Sequence, residues 1–107
     1  FDDVVWFSEE EARDFNCPHG FSITAKKEGD IQKVIKTLDL HDIHWKRNFG
    51  SIPTQHAAFA DMGHTLGDFP NAEWVGENGI HIGCHQYLSE EDIARVEAAL
   101  KEALSSL

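Results

Sequence analysis

Residues 78–107, NGIHIGCHQYLSEEDIARVEAALKEALSSL, decide the fold that this sequence predicts. Residues 80–85 alternate apolar and polar side chains, a pattern typical of a half-buried strand. Ser89, with Asp92 three residues later, forms a capping box and predicts the start of a helix. The side chains at helical spacing after it predict one buried face: Ile93, Val96, Leu100, Ala103, Leu104 and Leu107. A strand followed by a long amphipathic helix therefore closes the chain.

Two further strands are predicted upstream. Side chains alternate over residues 21–26 and again over residues 43–49, as they do in strands with one buried face. Between them, residues 31–38 carry apolar side chains at helical spacing, and Asp30 stands where a helix cap is expected. An amphipathic helix is therefore expected between the first strand and the second.

Short helices are predicted between the second strand and the third. Residues 55–62 form one of them, with Ala58, Phe59 and Met62 as its expected buried side chains. Pro70 favours the first turn of another that ends near residue 77, and Asn78-Gly79 favours a turn after it. The predicted class is α+β: a small, mainly antiparallel sheet of about three strands, with helices packed on one face and a long C-terminal helix.

Residues 1–17 are expected to form a connector. They are acidic, and their apolar side chains follow neither a strand period nor a helix period for long. Ser8 followed by acidic residues predicts a turn or two of helix over residues 9–15, which Pro18 ends. Residues 18–107 then form one domain, because a chain of this size with 41% apolar residues supplies a single core.

The charge balance excludes two classes of partner. A formal charge of −10 repels nucleic-acid phosphates and anionic lipid over most of the surface. No apolar run approaches the roughly 20 residues that cross a bilayer, and no signal peptide opens the chain. Two cysteines far apart, Cys17 and Cys84, are too few for a disulfide framework and are expected as free thiols. A soluble, cytoplasmic protein is therefore expected.

His81, Cys84 and His85 are the residue types of a zinc site. Because side chains alternate along the third strand, Cys84 is expected with Ile80 and Ile82 on the buried face, and the two histidines are expected on the other face. That geometry disfavours a shared metal ion, and it also disfavours a thiolate paired with the neighbouring imidazole. No metal site and no complete catalytic group are therefore predicted.

The other candidate is a basic group at the end of the second strand. It comprises Lys46, Arg47 and Asn48 and, beyond a loop, Gln55 and His56. In so acidic a chain, adjacent cationic side chains at a strand end are a possible anion contact. Composition alone favours the alternative, a solvated edge of the sheet.

Three stretches carry a resemblance to a known family. They are residues 19–24 (HGFSIT), 42–59 (DIHWKRNFGSIPTQHAAF) and 69–96 (FPNAEWVGENGIHIGCHQYLSEEDIARV). In order and spacing they resemble the C-terminal part of the DegT/DnrJ/EryC1/StrS family of pyridoxal-phosphate-dependent sugar aminotransferases. The resemblance covers nearly the whole chain, and it rests on the register of several motifs rather than on any single one.

The resemblance implies a division of labour between two domains. In that family a large domain holds pyridoxal phosphate on a lysine, and a small domain closes over the substrate, usually within a homodimer. The reaction moves an amino group, commonly from glutamate, to a keto group on a nucleotide-linked sugar. Residues 18–107 then resemble the C-terminal small domain, joined by residues 1–17 to a large domain of the same protein. No segment resembles the cofactor-binding motifs, so this chain alone is expected to be inactive.

The resemblance also implies which residues contact the substrate. The family's arginine before the substrate loop falls on Lys46, with Arg47 next to it. The loop histidine of many members falls on Thr54, with His56 two residues later. We therefore expect substrate contacts at Lys46, Arg47, Thr54 and His56, and no catalytic residue in this chain. The alternative function is a stand-alone, non-catalytic binding or regulatory module with the same fold.

Overall fold

The computed structural model describes residues 1–7, 10–13, 15, 17–48 and 52–107. The regular elements, in chain order, are strand β1 (Val5–Phe7), strand β2 (Gly20–Ala25), helix α1 (Asp30–Leu40), strand β3 (Trp45–Arg47), helix α2 (Pro70–Asn78), strand β4 (Gly79–Gly83) and helix α3 (Glu90–Ser105). Two short 3₁₀ helices, Pro53–Gln55 and Ala57–Met62, lie between β3 and α2. No described helix is both long enough and apolar enough to cross a membrane.

The strands form one antiparallel sheet in the order β1-β2-β4-β3. The α+β class, the antiparallel sheet and the long C-terminal helix that the sequence predicts are confirmed. The sheet has four strands rather than about three. The additional strand is β1, which forms within residues 1–17, the segment expected to be a connector. The last strand in sequence, β4, is inserted between β2 and β3, so residues far apart in the chain meet on its two sides.

Helices α1 and α3 pack on one face of the sheet, here called the core face. The core that they close is apolar and comprises Val5, Ile23, Ala25, Ile31, Val34, Ile35, Leu38, Ile43, Ile80, Ile82, Ala99, Ala103 and Leu104. Fully burying one aliphatic side chain of this size stabilises the folded state by about 1.5–3 kcal/mol. Burial of this face is therefore the main source of stability in the domain.

The opposite face, here called the polar face, is covered only at one end. Its side chains come from Trp6, Ser22, Thr24, Lys46 and His81, which share one side of the strands in the pairing register. Thr24 is only 6% exposed, because α2 meets the sheet at that end. There the indole Nε1 of Trp74 donates to the carbonyl of Ala25 at 2.9 Å, which fixes α2 against the end of β2.

Helix α1 begins differently from the prediction. Asp30 was expected to cap it, but the cap position belongs to Gly29, whose φ of 82° is left-handed. The turn out of β2 needs this conformation, which glycine adopts without steric cost. Asp30 is instead the first helical residue; it is buried, and its carboxylate accepts a hydrogen bond from Lys33 Nζ at 2.8 Å.

Helix α3 begins where the capping box predicts. The amide N–H of Asp92 donates to Ser89 Oγ at 3.1 Å, and the N–H of Ser89 donates to Asp92 Oδ2 at 3.0 Å. The side-chain hydrogen bond from Ser89, followed by the bond from its backbone, holds the pKa of Asp92 below its ordinary value. The buried face starts later than expected, because Ile93 is 56% exposed near the start of the helix.

Other local predictions were wrong or fall outside the described residues. Residues 55–62 form 3₁₀ turns rather than a buried helix, and Phe59 and Met62 are about half exposed. Asn78 ends α2 without a turn, because Gly79 is extended and begins β4 directly. The predicted helix over residues 9–15 falls partly on undescribed positions, and the described part of it is not helical. Phe49, the last residue of the predicted second strand, is not among the described residues.

We predict that Ser89→Ala lowers the free energy of unfolding by about 0.5–2 kcal/mol, because the substitution removes the side-chain acceptor of the first turn of α3. Urea denaturation followed by circular dichroism measures the loss. Ser105→Ala is the matched control, since Ser105 is exposed at the other end of the same helix. Equal effects of the two substitutions would contradict the assigned role of the cap.

Candidate functional site

Three polar side chains lie side by side on the polar face, one on each of three neighbouring strands. Ser22 on β2 and Lys46 on β3 are both direct register partners of His81 on β4. Directly paired residues on one face of an antiparallel sheet have Cβ atoms about 4.5–5.5 Å apart. A hydroxyl, an imidazole and an ammonium group are therefore neighbours, and we call these three residues the polar row.

Asn48 connects two members of the polar row across the central strand. Its Nδ2 donates to Ser22 Oγ at 2.6 Å, and its Oδ1 lies 3.1 Å from His81 Nδ1. Asn48 is only 7% exposed, so these hydrogen bonds replace contacts with water. Asn48 therefore holds both the serine hydroxyl and the imidazole in place.

The hydrogen bonds of Asn48 also assign the protons of the histidine. With Nδ2 donating to Ser22, Oδ1 faces His81 Nδ1, and a hydrogen bond between these two atoms requires a proton on Nδ1. In the neutral imidazole the lone pair is then on Nε2. The nitrogen that does not bond to Asn48 is therefore the one that can contact a ligand.

A glycine makes this arrangement possible. A Cβ atom at Gly79 would lie 2.4 Å from the carbonyl oxygen of Val75, 2.9 Å from Asn48 Nδ2 and 3.0 Å from Thr24 Oγ1. Contacts below 3.0 Å require a shift, and the Val75 oxygen is backbone. Only glycine lets Asn48 reach across β4 while α2 runs directly into that strand.

The substrate contacts expected from the sequence are divided between the two faces. Lys46 and Arg47 are adjacent in β3 and therefore point to opposite sides, as the alternation predicted. Lys46 is exposed on the polar face, whereas Arg47 Nη1 donates to the carbonyl of Glu77 at 2.7 Å. Thr54 lies in the first 3₁₀ helix and His56 ends it. Among the described residues, no hydrogen bond or ion pair joins any two of these four.

Glu73, which the sequence did not single out, holds the loop before α2. Its carboxylate accepts hydrogen bonds from Gln55 Nε2 at 2.7 Å, from the N–H of Gly67 at 2.8 Å and from the N–H of Phe69 at 3.3 Å. Gln55 also donates to the carbonyl of Thr65 at 2.6 Å. The Gln55 bond, followed by the Gly67 bond, lowers the pKa of Glu73. A charged carboxylate therefore fixes the segment that carries Thr54 and His56.

The prediction that Cys84 is buried was wrong. Cys84 is exposed, because β4 ends at Gly83 and the alternation of the strand does not continue to it. His85 is also beyond the strand, and its Nδ1 accepts a hydrogen bond from the N–H of Tyr87 at 3.2 Å. Within the described part of the chain, no three His, Cys, Asp or Glu side chains are arranged to hold a metal ion.

An apolar groove opens at the free end of the core face. Its volume is about 710 Å³, and it lies between the sheet and α3. Phe21 and Ile93 line it and are 40% and 56% exposed. The exposure of Ile93, which the helical periodicity did not predict, follows from its position at this opening.

Comparison with known proteins places the chain in a family. The model of the DegT/DnrJ/EryC1/StrS aminotransferase family matches residues 3–101. The chain belongs to this family. It is also similar to an uncharacterized protein of Methanocaldococcus jannaschii, MJ1066, with 32% identity over 82 residues. That match covers 71% of the chain and 21% of the relative, so the chain spans about a fifth of the relative's length. No solved structure matches.

Aminotransferases of this family depend on pyridoxal phosphate, and the resemblance described above implies that a lysine holds the cofactor. The exposed lysines here are Lys27, Lys33, Lys36, Lys46 and Lys101. The half-buried one, Lys26, donates to the carbonyl of Asp2 and lies 5.3 Å from the ring centre of Trp6. The described residues of this chain therefore do not form a site that fits the cofactor.

We predict that Gly79→Ala destabilises the domain by about 1–3 kcal/mol, because the added methyl group collides with the Val75 carbonyl and with Asn48. Thermal and urea unfolding measure the effect. Gly83→Ala, in the same strand, is the control, since a Cβ at Gly83 meets no atom within 4 Å. A destabilisation of the same size at Gly83 would show that the effect is not caused by the close contacts.

We predict that Glu73→Gln lowers the hydrogen-exchange protection of the Gly67 amide severalfold, since a charged acceptor is replaced by a neutral one. Because the pKa of Glu73 is lowered in the folded state, its stabilisation is complete above its ordinary value of 4.5. This stabilisation is lost as the pH falls through the lowered pKa that Glu73 has in the folded state. Glu77→Gln is the control in the same helix, and equal protection in the two variants would contradict this role.

Proposed function

We propose that this chain is the C-terminal, substrate-side domain of a pyridoxal-phosphate-dependent aminotransferase that acts on nucleotide-linked keto sugars, with glutamate as the amino donor. The observation that carries the proposal is the family match over residues 3–101. A chain that spans about a fifth of its relative leaves most of such a protein to another domain. In the proposal, residues 18–107 are the small domain and residues 1–17 lead to it from the large domain.

The division of labour follows from what this chain offers chemically. Its lysines do not fit the cofactor, so the large domain supplies the site in which pyridoxal phosphate acts as the electron sink. Lys46, Arg47, Thr54 and His56 are the proposed contacts with the substrate. The ammonium group of Lys46 is exposed and pairs with anionic oxygen as a point charge. Arg47 gives one N–H to Glu77 and keeps its other donors for a ligand.

The proposed assembly is a homodimer in the cytoplasm. Within each subunit the partner of this chain is the large domain, and the small-molecule partner is the nucleotide-linked sugar. Both cysteines are exposed and unpaired, which fits a reducing compartment. Neither nucleic acid nor a membrane is a partner in this proposal, because the chain carries a formal charge of −10.

We predict that the 107-residue chain mixed with pyridoxal phosphate forms no internal aldimine. Five of its lysines are exposed, and the half-buried Lys26 is bonded to the Asp2 carbonyl beside Trp6. The measurement is absorbance spectroscopy with borohydride reduction and peptide mass spectrometry. The product of the complete reading frame, tested in parallel, is expected to form the adduct at one lysine outside this chain. It is also expected to transfer an amino group from glutamate to a nucleotide-linked keto sugar.

Two outcomes would overturn parts of the proposal. A stoichiometric, reducible adduct at one lysine of the isolated chain would show that the cofactor site lies here. A native product whose mass equals that of this chain alone would instead favour a stand-alone binding or regulatory module.

A further inference from the structure

We infer that the polar row, Ser22, His81 and Lys46, binds a phosphate group, with Asn48 as the residue that positions His81. The inference deepens the proposed function, on which it rests for the origin of the phosphate in a nucleotide-linked sugar. Its structural basis is the register of three strands, because both outer members of the row are direct partners of the central histidine.

Each member of the row has a donor to offer. Lys46 carries a positive charge and three N–H groups at an exposed position. Ser22 Oγ already accepts a hydrogen bond from Asn48, so its own proton is directed to another partner. His81 bonds to Asn48 through Nδ1, and Nε2 donates to an anion once the ring is protonated. The three side chains therefore start from directly paired positions on one face of the sheet, and they offer three donors when the His81 ring is protonated.

The set of donors favours phosphate over carboxylate. A planar carboxylate is matched best by the parallel N–H pair of an arginine fork. Arg47 is the arginine of β3, but the alternation of the strand places it opposite to Lys46, and its Nη1 donates to the carbonyl of Glu77. An ammonium, a hydroxyl and an imidazole each give single contacts from different directions, as suits the tetrahedral oxygens of phosphate.

The surroundings of the row favour an anion. The sequence has nineteen Asp and Glu residues, yet none of the strand residues that face this side is acidic. Beyond the row, Gly20 and Gly83 are paired, and a Cβ at Gly83 would meet open space. There is therefore space for a ligand above this face of the sheet, and no carboxylate of the strands on this face would repel an anion.

A second imidazole lies next to the row. The ring of His19 is 6.0 Å from the ring of His81, measured between centroids. His81 in turn packs over Gly20, where a Cβ would lie 2.9 Å from the imidazole Cδ2. His81 is therefore restrained on two sides, by the amide of Asn48 and by the backbone of β2, and such restraint reduces the entropy that ordering the ring costs on binding.

The test is a titration of the 107-residue chain with inorganic phosphate, followed by nitrogen-15 NMR of the histidine side chains. We expect a saturable shift of His81 Nε2, and binding about tenfold weaker in Lys46→Gln, since one charge-assisted hydrogen bond is lost. Lys36→Gln removes the same charge from an exposed position of α1, and it is expected to leave the affinity nearly unchanged. A nucleoside diphosphate and acetate are titrated separately.

The role of Asn48 has a readout of its own. The spectra are expected to show the Nδ1–H form of the neutral His81 ring in the wild type, and a mixture of both tautomers in Asn48→Ala. Should Asn48→Ala fail to fold, Ser22→Ala removes the acceptor that orients the Asn48 amide, and it is expected to weaken the same preference. An unchanged tautomer in a folded variant would show that Asn48 does not position the ring.

Several outcomes would overturn the phosphate site. They are the absence of a saturable shift at His81, equal weakening by Lys46→Gln and Lys36→Gln, and acetate binding as tight as phosphate binding. A nucleoside diphosphate that binds no better than inorganic phosphate would show that the row takes a free phosphate rather than the substrate's. None of these measurements involves pyridoxal phosphate or transamination, so this inference and the proposed function fail independently.

Discussion

The close approach of three chain segments at Gly79 is the constraint on which the arrangement of this domain depends. Helix α2 ends there, β4 begins there, and the side chains of Thr24 and Asn48 arrive from the strands on either side. A methyl group at this position would displace a backbone carbonyl. Because β4 lies between β2 and β3, a disturbance at its first residue reaches both neighbouring strands and the helix before it.

The two faces of the sheet divide stability and recognition between them. One face is buried under α1 and α3, and its apolar side chains supply the folding free energy. The other carries a buried asparagine whose hydrogen bonds orient a serine and a histidine beside a lysine. The strands thus form a rigid support for polar groups, whose positions are set by backbone pairing rather than by a loop.

The sequence predicts the elements of this domain better than it predicts their contacts. Periodicity identified β2, β3, β4 and the principal helices, because the buried faces of β2, β4 and α1 follow regular spacing. It missed β1, whose three residues are too few to show a strand period. It could not show that β4 pairs with both β2 and β3, since register between distant segments leaves no local pattern. The local sequence therefore groups His81 with Cys84, its neighbour in the chain, whereas strand pairing places it beside Lys46. Glu73 was also missed, because its partners are mainly backbone N–H groups whose positions appear only in the folded loop.

The outer strands of the sheet are short, and their length affects how copies of this chain associate. Both margins of the sheet, β1 and β3, are strands of three residues. An edge strand has unpaired backbone groups that can pair with a strand from another molecule. Short edge strands with charged side chains limit such pairing. Lys46 and Arg47 place two positive charges on the edge strand β3, and these charges oppose the addition of a like-charged strand from another molecule at that edge.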